Sequence, residues 1–403
     1  MKILYLLSIY FYRLIIRILS PFHSKAALWI HGRKSWRGRL EKIPFSEHRI
    51  LFHCASLGEF EMIRPIIEWM KINKPDYQIL ISFFSPSGYE VRKHYDKADA
   101  VFYLPSDTPK NAKDFARILR PEMVVFAKYE FWHFHLNALK ASGAKLFAVS
   151  AVFRTNHRFF KWYGSMFRND LRLFDSIFVQ DTPSQHLLKS IGIESVLAGD
   201  TRFDRVYANA ETSKPIVPIE NWINHRRVIV AGSSWPQEEQ RMVEAMKQID
   251  NENLCWIIVP HDVSEAHISE LQASIPVSSV RFTRWKNENT AVMIIDNVGM
   301  LMSVYRYAHL AIVGGGFSGK LHNILEPAAF GIPVLFGPKH DRFREADEMI
   351  KAGAAYEFDG DLKEQLSRFI SDETLLEQSG RAAKEFVMQH LGATDRVVNG
   401  IFG

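Results

Sequence analysis

The sequence contains few of the residues that build disulfide frameworks or metal clusters. Only two of its 403 residues are cysteines. Cys54 and Cys255 lie far apart and in no spacing that is typical of a zinc site. Low-complexity tracts and internal repeats are also lacking, and 47% hydrophobic with 24% charged residues is the balance of a globular chain. These features exclude a disulfide-stapled secreted domain and a repeat array, and they fit a reducing, cytosolic environment.

The chain also lacks an apolar run long enough for a confident membrane span. Residues 3–12 are almost wholly apolar, but Arg13 and Arg17 interrupt the run before the roughly 18 residues that such a helix needs. On a helix the basic residues cluster on one side, which predicts a membrane-anchor helix over residues 1–22 that lies in, or dips into, a membrane surface. The basic segment that follows favours the cytoplasmic side. A cleaved signal peptide and a buried core helix are the alternatives.

The length and the pattern of apolar runs predict two domains. Short apolar runs alternate with glycine or serine turns and helical patterns over residues 23–206 and again over residues 226–385. Residues 207–225 contain two prolines and are interpreted as an irregular linker, and residues 386–403 as a helix returning toward the first domain. The net charge of +5 favours acidic partners such as anionic lipid or phosphorylated substrates.

The stretch from Val313 to Pro338 combines the features of a phosphate-binding turn. An apolar run predicts a strand, the glycines Gly314 to Gly316 follow it, and a helix is predicted from about His322 to Phe330. Glycines let backbone N–H groups approach a ligand, and a helix start adds unpaired donors, so a phosphate would be held there. The alternative is a plain tight turn in which Asn323 and Glu326 form an N-terminal capping pair.

A second strand–turn–helix unit opens the first domain. Ser56, Gly58 and Glu59 stand where the predicted strand 49–53 ends and a helix begins, which is where open α/β sheets bind ligands. A carboxylate at a helix start is ordinarily held ionised by the helix dipole. The functional alternative for Glu59 is a general base that takes the proton of an attacking hydroxyl.

The motifs, taken together, resemble those of the Kdo transferases, which move 3-deoxy-D-manno-octulosonic acid (Kdo) from CMP-Kdo to lipid A precursors. The central stretch reads GGGFSGKLHNILEPAAFGIPVLFGP and is similar to the family's nucleotide-binding motif. In the same way HCASLGE is similar to its HxxSxGE motif, and WIHGRKSWRGRL to the basic segment after its membrane anchor. The resemblance implies an α/β fold of the GT-B type, with two Rossmann-like doubly wound domains facing a central cleft.

The resemblance also assigns roles in the first domain. Glu59 takes the place of the family's catalytic base, with Ser56 and Gly58 beside the acceptor. Glu130 matches the second glutamate of a segment that reads ETELWPN in the family, although Lys128 replaces the first acid and His133 the proline. Glu130 either faces the acceptor or pairs with a basic neighbour. Further along, the basic, aromatic run that begins at Arg154 suits the phosphate and acyl groups of a lipid, unless it is a solvated helix with inward aromatics.

In the second domain the resemblance implies a site for the nucleotide sugar. Its phosphate is expected near the central glycines, its ribose near Glu326, and its base along residues 232–235 and 260–262. Ser234 has an ordinary helix cap as its alternative role. The residues expected to bind the donor are Arg202, Gly232, Ser233, Ser234, His261, Gly315, Gly316, His322, Asn323 and Glu326.

The sequence therefore predicts an inverting glycosyltransferase at the cytoplasmic face of the inner membrane. It would move Kdo from CMP-Kdo to a lipid A precursor, with CMP as the leaving group. No DxD-type metal pair stands at a convincing site, so no metal or other cofactor is expected, and nucleic acid is not an expected partner. The alternatives are a GT-B glycosyltransferase or epimerase that uses a uridine nucleotide sugar, and a membrane-surface protein without activity, against which Glu59 argues.

Overall fold

A computed structural model of the protein describes residues 1–249 and 252–403, which form two compact units. The first unit comprises Met1–Asp204 together with Gly392–Gly403, and the second comprises Arg205–Leu391. Each unit is built on its own parallel sheet of seven strands. The predicted α/β class is thereby confirmed.

Seven strands belong to each unit. In the first they are β1 (Arg49–Cys54), β2 (Gln78–Phe83), β3 (Ala100–Tyr103), β4 (Met123–Ala127), β5 (Lys145–Ala151), β6 (Ser176–Val179) and β7 (Val196–Leu197). In the second they are β8 (Arg227–Ser234), β9 (Leu254–Pro260), β10 (Ser279–Arg281), β11 (Val292–Ile294), β12 (Leu310–Val313), β13 (Val334–Phe336) and β14 (Ala355–Glu357). The sequence analysis did not predict β10 and β14, which are three residues each and too short for a clear period.

Helices connect the strands and cover both sheets. They are α1 (Lys2–Leu19), α2 (Ser24–Gly32), α3 (Trp36–Leu40), α4 (Leu57–Asn73), α5 (Pro86–Arg92), α6 (Pro109–Leu119), α7 (His133–Ala141), α8 (Ser165–Leu171), α9 (Thr182–Lys189), α10 (Thr201–Glu211), α11 (Val217–Ile223), α12 (Pro236–Met246), α13 (Glu265–Ser274), α14 (Leu301–Val304), α15 (Leu325–Ala329), α16 (Arg344–Lys351), α17 (Leu362–Ser371), α18 (Glu373–Gln389) and α19 (Ala393–Phe402). Short 3₁₀ turns occur at Arg158–Phe160, Phe282–Arg284 and Tyr305–Tyr307.

The order of strands in the first sheet fixes where a ligand can bind. The order is β3-β2-β1-β4-β5-β6-β7, so the chain moves outward in one direction from β1 and in the other from β4. All six residues of β1 are buried, because helices cover both faces of the sheet. At the switch between β1 and β4 the turns after the two strands diverge and leave a crevice at their carboxyl ends.

The second sheet has a switch point of the same kind. Its order is β10-β11-β9-β8-β12-β13-β14, and the direction reverses between β8 and β12. The turn after β8 contains residues 232–235, and the turn after β12 contains the central glycines. The two turns that were predicted to hold the donor therefore meet at one edge of this sheet, because β12 pairs with β8 in parallel register.

The predicted linker over residues 207–225 is corrected by the structure. Helix α10 continues to Glu211 and α11 spans Val217–Ile223, so most of this stretch is helical. Pro218 stands in the first turn of α11, where the missing N–H of proline leaves no helical hydrogen bond unmade. The boundary between the units falls inside α10, between Asp204 and Arg205.

The two ends of the chain lie in the first unit. The stretch predicted as one helix over residues 386–403 is divided, because α18 ends at Gln389 and Gly392 adopts a positive φ of 87° before α19 begins. Asp204 accepts hydrogen bonds from the backbone N–H groups of Gly392 and Thr394, both at 2.6 Å, which fixes the start of α19.

At the amino terminus, α1 covers most of the predicted anchor over residues 1–22. It has no buried residue, and among the described residues no helix combines the length and apolar character needed to cross a bilayer.

Candidate active site

Two glutamates meet at the switch point of the first sheet. Glu59 lies in the first turn of α4, directly after β1, and Glu130 lies in the segment that joins β4 to α7. The sequence predicted both residues separately, and the parallel pairing of β1 with β4 brings them to the same edge.

Glu59 is fixed by the backbone of its own turn. The Ala55 N–H donates to its Oε2 at 2.5 Å, and the side chain is only 9% exposed. Burial raises the pKa of Glu59 above its ordinary value, whereas the Ala55 N–H, the Lys128 ammonium and the Ser56 N–H oppose the rise. The sequence alternative, in which the helix start holds Glu59 ionised, is therefore outweighed by burial, because the pKa of this carboxyl is raised and not lowered. A carboxylate with a raised pKa is a better proton acceptor than an exposed one.

Glu130 is the second carboxyl of the pair. Burial, followed by the negative charge of Glu59, raises its pKa to about 8, against the opposing effects of Trp132, Arg158 and Lys128. Two carboxyls that repel each other in a poorly solvated site do not both ionise easily, so they lose their protons in two separated steps. Near neutral pH the pair therefore holds about one proton, and one carboxylate can accept another.

A neutral histidine and a tryptophan lie beside Glu130. The indole N–H of Trp132 donates to Nε2 of His53 at 3.1 Å, and Nδ1 of His53 lies 2.9 Å from Oγ of Ser82. Burial lowers the pKa of His53 to about 3, so its ring is neutral and its Nε2 is an acceptor. Oε2 of Glu130 lies 3.9 Å from the same nitrogen. His53 is thus a positioning residue rather than a proton donor at neutral pH.

A cavity of about 510 Å³ opens beside this carboxyl pair. Segment 129–132 and Arg158 form one wall, and α1 contributes Tyr5, Ser8, Ile9 and Tyr12 to another. Phe84 completes the lining and stacks on Trp132, with 4.7 Å between ring centroids. The cavity combines aromatic walls with one carboxyl and one guanidinium, which suits a ligand that is partly apolar and carries hydroxyl and anionic groups.

Helix α1 is attached to this site through a buried polar contact. The Tyr5 hydroxyl donates to Oδ2 of Asp107 at 2.6 Å, and the same carboxylate accepts from the backbone N–H groups of Phe134 and His135. The latter residues open α7, directly after the Glu130 segment. The predicted anchor helix therefore also forms part of the site wall, a role that its sequence pattern alone could not indicate.

The remaining residues predicted to bind the acceptor lie around the same crevice. Ser56 is the N-cap residue of α4, but its hydroxyl makes no capping bond. Gly58 is exposed, and a Cβ built there meets nothing within 4 Å, so the space in front of it is open. Arg154 is exposed, and its charge acts on Tyr129 and His157 beside the cavity. Their binding roles stay predictions.

In the second unit, the glycine turn is occupied by a carboxylate from its own chain. Glu238 of α12 is 1% exposed, and its Oε1 accepts from the N–H of Gly315 at 2.9 Å and from that of Phe317 at 3.4 Å. Burial raises the pKa of Glu238, while these N–H groups oppose the rise. The Gly315 N–H, expected to lie near the phosphate of the donor, is thus already hydrogen-bonded within the protein, and the phosphate-binding role of Gly315 and Gly316 stays a prediction. A phosphate could reach this N–H only by displacing Glu238.

The glycines of this turn are required by close packing. A Cβ at Gly314 would lie 2.0 Å from the backbone oxygen of Ser233, and one at Gly316 would lie 2.4 Å from the Gly337 nitrogen. At Gly232 a Cβ would overlap the Tyr305 hydroxyl at 1.9 Å. These positions hold the two turns of the switch point against each other, which favours the tight-turn alternative for the glycines themselves.

The serines after β8 have different roles. Ser233 has a positive φ of 50°, and its backbone lies against Gly314. The Ser234 hydroxyl donates to Oε1 of Glu239 at 2.8 Å, and it does not cap α12, whose N-cap residue is Trp235. The capping role considered for Ser234 is thus wrong, because its partner is a side chain and not the helix backbone.

Residues far apart in sequence form a ring platform at this edge. His261 stacks on Trp235 with 4.4 Å between centroids and an angle of 13°, and the His322 ring lies 5.0 Å from that of His261. The Trp235 indole N–H donates to Nε2 of His322 at 3.5 Å. Burial, followed by the charge of His261, lowers the pKa of His322 to about 4. The Lys320 ammonium lies 5.1 Å from the Trp235 ring, so the platform carries a cation at its edge.

The helix after the glycine turn begins later than predicted. α15 spans Leu325–Ala329 rather than 322–330, because Gly319 takes a positive φ of 69° and the His322 N–H is bonded to the Gly314 oxygen. Oδ1 of Asn323 accepts from the Leu325 N–H at 3.2 Å, and its Nδ2 donates to Oε1 of Glu326 at 3.3 Å. Asn323 and Glu326 are therefore paired as considered from the sequence, but they do not form a capping pair, because the N-cap residue of α15 is Ile324.

Arg202 was also predicted to bind the donor, but it lies in the first unit. Its Nε and one terminal nitrogen contact Oδ2 of Asp200 at 2.9 and 2.7 Å. Asp200 neutralises its charge locally, so a role on the donor stays a prediction.

Four residues of the two sites were not singled out as functional from the sequence. His53 lies inside the HxxSxGE-like segment, and Trp132 beside Glu130, so each was indicated only by its neighbours. Lys128 was noted as a departure, yet its charge lowers the pKa of both site carboxyls. Glu238 was counted as one of the acids in a first helical turn, and nothing in its position showed that it enters the glycine turn.

Comparison with known proteins supports the resemblance carried by the motifs. Residues 34–205 match the family model described as 3-deoxy-D-manno-octulosonic-acid transferase (kdotransferase). The 3-deoxy-D-manno-octulosonic acid transferase of Aquifex aeolicus is 27% identical over 350 residues, which cover 84% of this chain and 91% of that protein. The enzyme of the same name from Chlamydia muridarum is 26% identical over 336 residues, 76% of each chain.

Solved structures confirm the fold. The UDP-GlcNAc 2-epimerase of Neisseria meningitidis, in a structure bound to UDP-GlcNAc, superposes with a TM-score of 0.59 at 15% identity and covers 88% of this chain and 99% of its own. At this identity the likeness concerns the fold alone, which is consistent with a two-domain fold of the GT-B type. The family model and the sequence relatives show that the chain is related over most of its length to the Kdo transferases, the glycosyltransferase family predicted from its motifs.

Proposed function

We propose that the protein transfers Kdo from CMP-Kdo to a hydroxyl group of a lipid A precursor. The observation that carries this proposal is the pair of buried carboxyls, Glu59 and Glu130, at the switch point of the first sheet. Glu130 of this pair lines a cavity that has aromatic walls and one arginine, and the relatives of the chain are named as Kdo transferases.

Glu59 is the general base of the proposed reaction. The acceptor oxygen attacks the anomeric carbon of Kdo while its proton passes to Glu59 and the bond to the CMP phosphate breaks, so that CMP leaves with the electron pair and the product is inverted. Burial and the charge of Glu59 raise the pKa of Glu130 to about 8, so Glu130 keeps its proton near neutral pH and leaves Glu59 as the proposed proton acceptor. The Lys128 ammonium opposes the rise in the pKa of Glu59 and so favours its ionised form.

The donor is proposed to bind on the second unit. A cytosine ring has a face that can stack, and the Trp235–His261 platform offers an aromatic surface at the carboxyl edge of β8 and β9. The phosphate would lie beside the Lys320 ammonium, and a cation there stabilises the charge that develops on the leaving CMP. Glu326 remains the candidate for the ribose hydroxyls.

A membrane-surface location is part of the proposal. The large apolar side chains of α1 are mostly exposed, including Ile3 at 75%, Leu4 at 65% and Phe11 at 65%. Arg13 and Arg17 are exposed on the same helix. A helix with these features binds the interface of an anionic bilayer, which for a lipid acceptor would be the cytoplasmic face of the inner membrane.

The competing function is a reaction on a uridine nucleotide sugar, since epimerases of that kind share the fold. Thermal stabilisation by CMP but not by UDP would favour the Kdo reaction, because a ligand that binds the folded state raises its melting temperature. Stabilisation by UDP alone would favour the competitor.

The decisive experiment is transfer from CMP-Kdo, generated in the assay, to a tetra-acylated lipid A precursor. The wild type should form product, and Glu59→Ala should lose at least about a hundredfold in rate, since a general base contributes roughly 10² to 10⁴. Glu68→Ala, on the same helix but away from the carboxyl pair, is the matched control and should stay near the wild type. Product that persists in Glu59→Ala would move the base to another residue, and no product from a folded, CMP-binding wild type would reject the reaction.

A further inference from the structure

A second cavity in the first unit has no part in the proposed chemistry. It measures about 310 Å³ and shares no lining residue with the cavity at Glu130. Its wall comes from α1, from the α2–α3 segment and from the connection between β3 and α6. The lining residues are Arg13, Arg33, Ser35, Trp36, Arg37, Pro105, Ser106 and Asn111. They include three arginines and no carboxylate.

Arg33 gives this cavity a buried positive charge. Its guanidinium donates to the carbonyl oxygens of Leu104 at 2.8 Å, Phe84 at 2.7 Å and Trp29 at 3.2 Å. Within residues 1–249 and 252–403, no carboxylate forms an ion pair with it. Burial lowers the pKa of Arg33 to about 9, which reflects the cost of desolvating a charge that no protein anion offsets.

Aromatic rings hold this guanidinium in one orientation. Its central carbon lies 3.9 Å from the Trp29 ring, 4.9 Å from that of Tyr103 and 5.1 Å from that of Phe84. A rigid side chain loses little rotamer entropy when a ligand binds, so the site is organised in advance.

The other arginines differ in how far they are neutralised. Arg37 bonds to Asp114 at 2.7 Å and to Asn111 at 2.9 Å, so most of its charge is balanced. Arg13 is exposed on α1, where its guanidinium carbon lies 5.8 Å from the centre of the Tyr10 ring. The cavity thus has a net positive charge, with hydroxyl and amide groups of Ser35, Ser106 and Asn111 around it. This set of donors is typical of a site for a phosphate group.

We propose that this cavity binds the phosphate of an anionic membrane phospholipid. Arg13 places one wall of the cavity on α1, whose apolar side chains are exposed, so a lipid seated by its phosphate could lay its acyl chains along that helix. The inference rests on the proposed membrane-surface location, and the phosphate contact in this cavity would help to hold the protein there.

Binding of a monomeric, short-chain lipid tests the site without a bilayer. Dihexanoyl phosphatidic acid below its critical micelle concentration should bind the full-length protein at a single saturable site in a calorimetric titration. Arg13→Gln should weaken binding about tenfold or more, since a hydrogen bond to a charged group contributes roughly 1.5 to 3 kcal/mol. Arg17→Gln removes the same charge from the same helix outside the cavity, and its affinity should change less than about twofold, because a monomeric lipid has no surface potential.

A second variant protects the test against misfolding. Asn111→Asp adds a negative charge to the cavity wall while keeping an acceptor for Arg37, so it should weaken lipid binding by a similar factor. It loses the hydrogen bond that Nδ2 of Asn111 donates to the Ser106 oxygen at 3.0 Å, so its melting temperature should fall only slightly. Equal losses in Arg13→Gln and Arg17→Gln, or no saturable binding, would overturn the proposal. Inorganic phosphate binding as tightly as the lipid would also overturn it in favour of a free-anion site. Neither donor nor acceptor is present, so the result is separate from the transferase assay.

Discussion

The two units place a buried glutamate at the same point of their sheets but use it differently. Glu59 follows β1 and Glu238 follows β8, each in the first turn of the next helix and next to the switch point. Glu59 is held by its own turn and faces another carboxyl. Glu238 reaches across to the N–H groups of the neighbouring glycine turn. The same position thus holds the proposed proton acceptor in one unit and a carboxylate that binds backbone N–H groups in the other.

The largest expected effect distinguishes these two roles by the same substitution. Glu59→Gln should lower kcat about a thousandfold, because an amide cannot take the proton from the attacking hydroxyl group of the substrate. Glu238→Gln should keep kcat within about threefold, because an amide oxygen still accepts from the Gly315 and Phe317 N–H groups. Steady-state kinetics of both variants check the contrast. Similar losses in the two would mean that Glu238 takes part in chemistry or donor binding.

Removing the Glu238 side chain, and with it the hydrogen-bond acceptor, should affect stability more than catalysis. Glu238→Ala leaves two buried N–H donors unbonded and should destabilise the second unit by about 2 kcal/mol. Denaturant unfolding would measure the loss, and hydrogen exchange at Gly315 and Phe317 would locate it. Glu238→Gln is the control and should unfold near the wild type. Unchanged exchange in Glu238→Ala would show that the turn does not depend on this carboxylate.

A smaller effect is expected on the pH profile of the first unit. Burial raises the pKa of Glu59, the proposed base, so kcat/KM should rise with pH above the ordinary range of a carboxyl group and level off once Glu59 has lost its proton. Glu130→Gln removes the repulsion, so the rise should move to lower pH, whereas Lys128→Gln removes an attraction and should move it to higher pH. An unshifted profile in both variants would mean that the pair is not coupled.

The raised pKa of Glu130 should also make the free energy of unfolding depend on pH. A raised pKa means that folded Glu130 binds its proton more tightly than the unfolded chain does, so its contribution is full below its ordinary pKa of 4.5 and is lost as pH rises toward about 8. Relative to the wild type, Glu130→Gln should therefore gain stability over this interval.

The fold could be predicted from the sequence because the strands are buried runs with clear turns after them. β1, β8 and β12 were found close to their observed bounds for this reason. The errors lie where prolines or glycines have more than one role. Pro218 was interpreted as a helix breaker although it starts a helix, and α15 begins after a left-handed glycine that the pattern cannot show.

The site could be predicted only one residue at a time. Glu59 and Glu130 were found through local motifs, but their repulsion depends on the pairing of β1 with β4. Glu238 and the Trp235–His261–His322 platform depend on contacts between residues far apart in the chain, for which a single sequence carries no pattern. The wall that α1 contributes was missed because a helix with an exposed apolar face indicates a membrane, not a cavity.

The carboxylate inside the glycine turn also affects how the protein meets its donor. A turn that depended on a bound phosphate for its shape would have to become ordered on every catalytic cycle, and the affinity would be reduced by that entropy. Because Glu238 already accepts hydrogen bonds from the Gly315 and Phe317 N–H groups, the turn keeps its conformation when no nucleotide is bound. Product release would then leave a surface that is ready for the next donor.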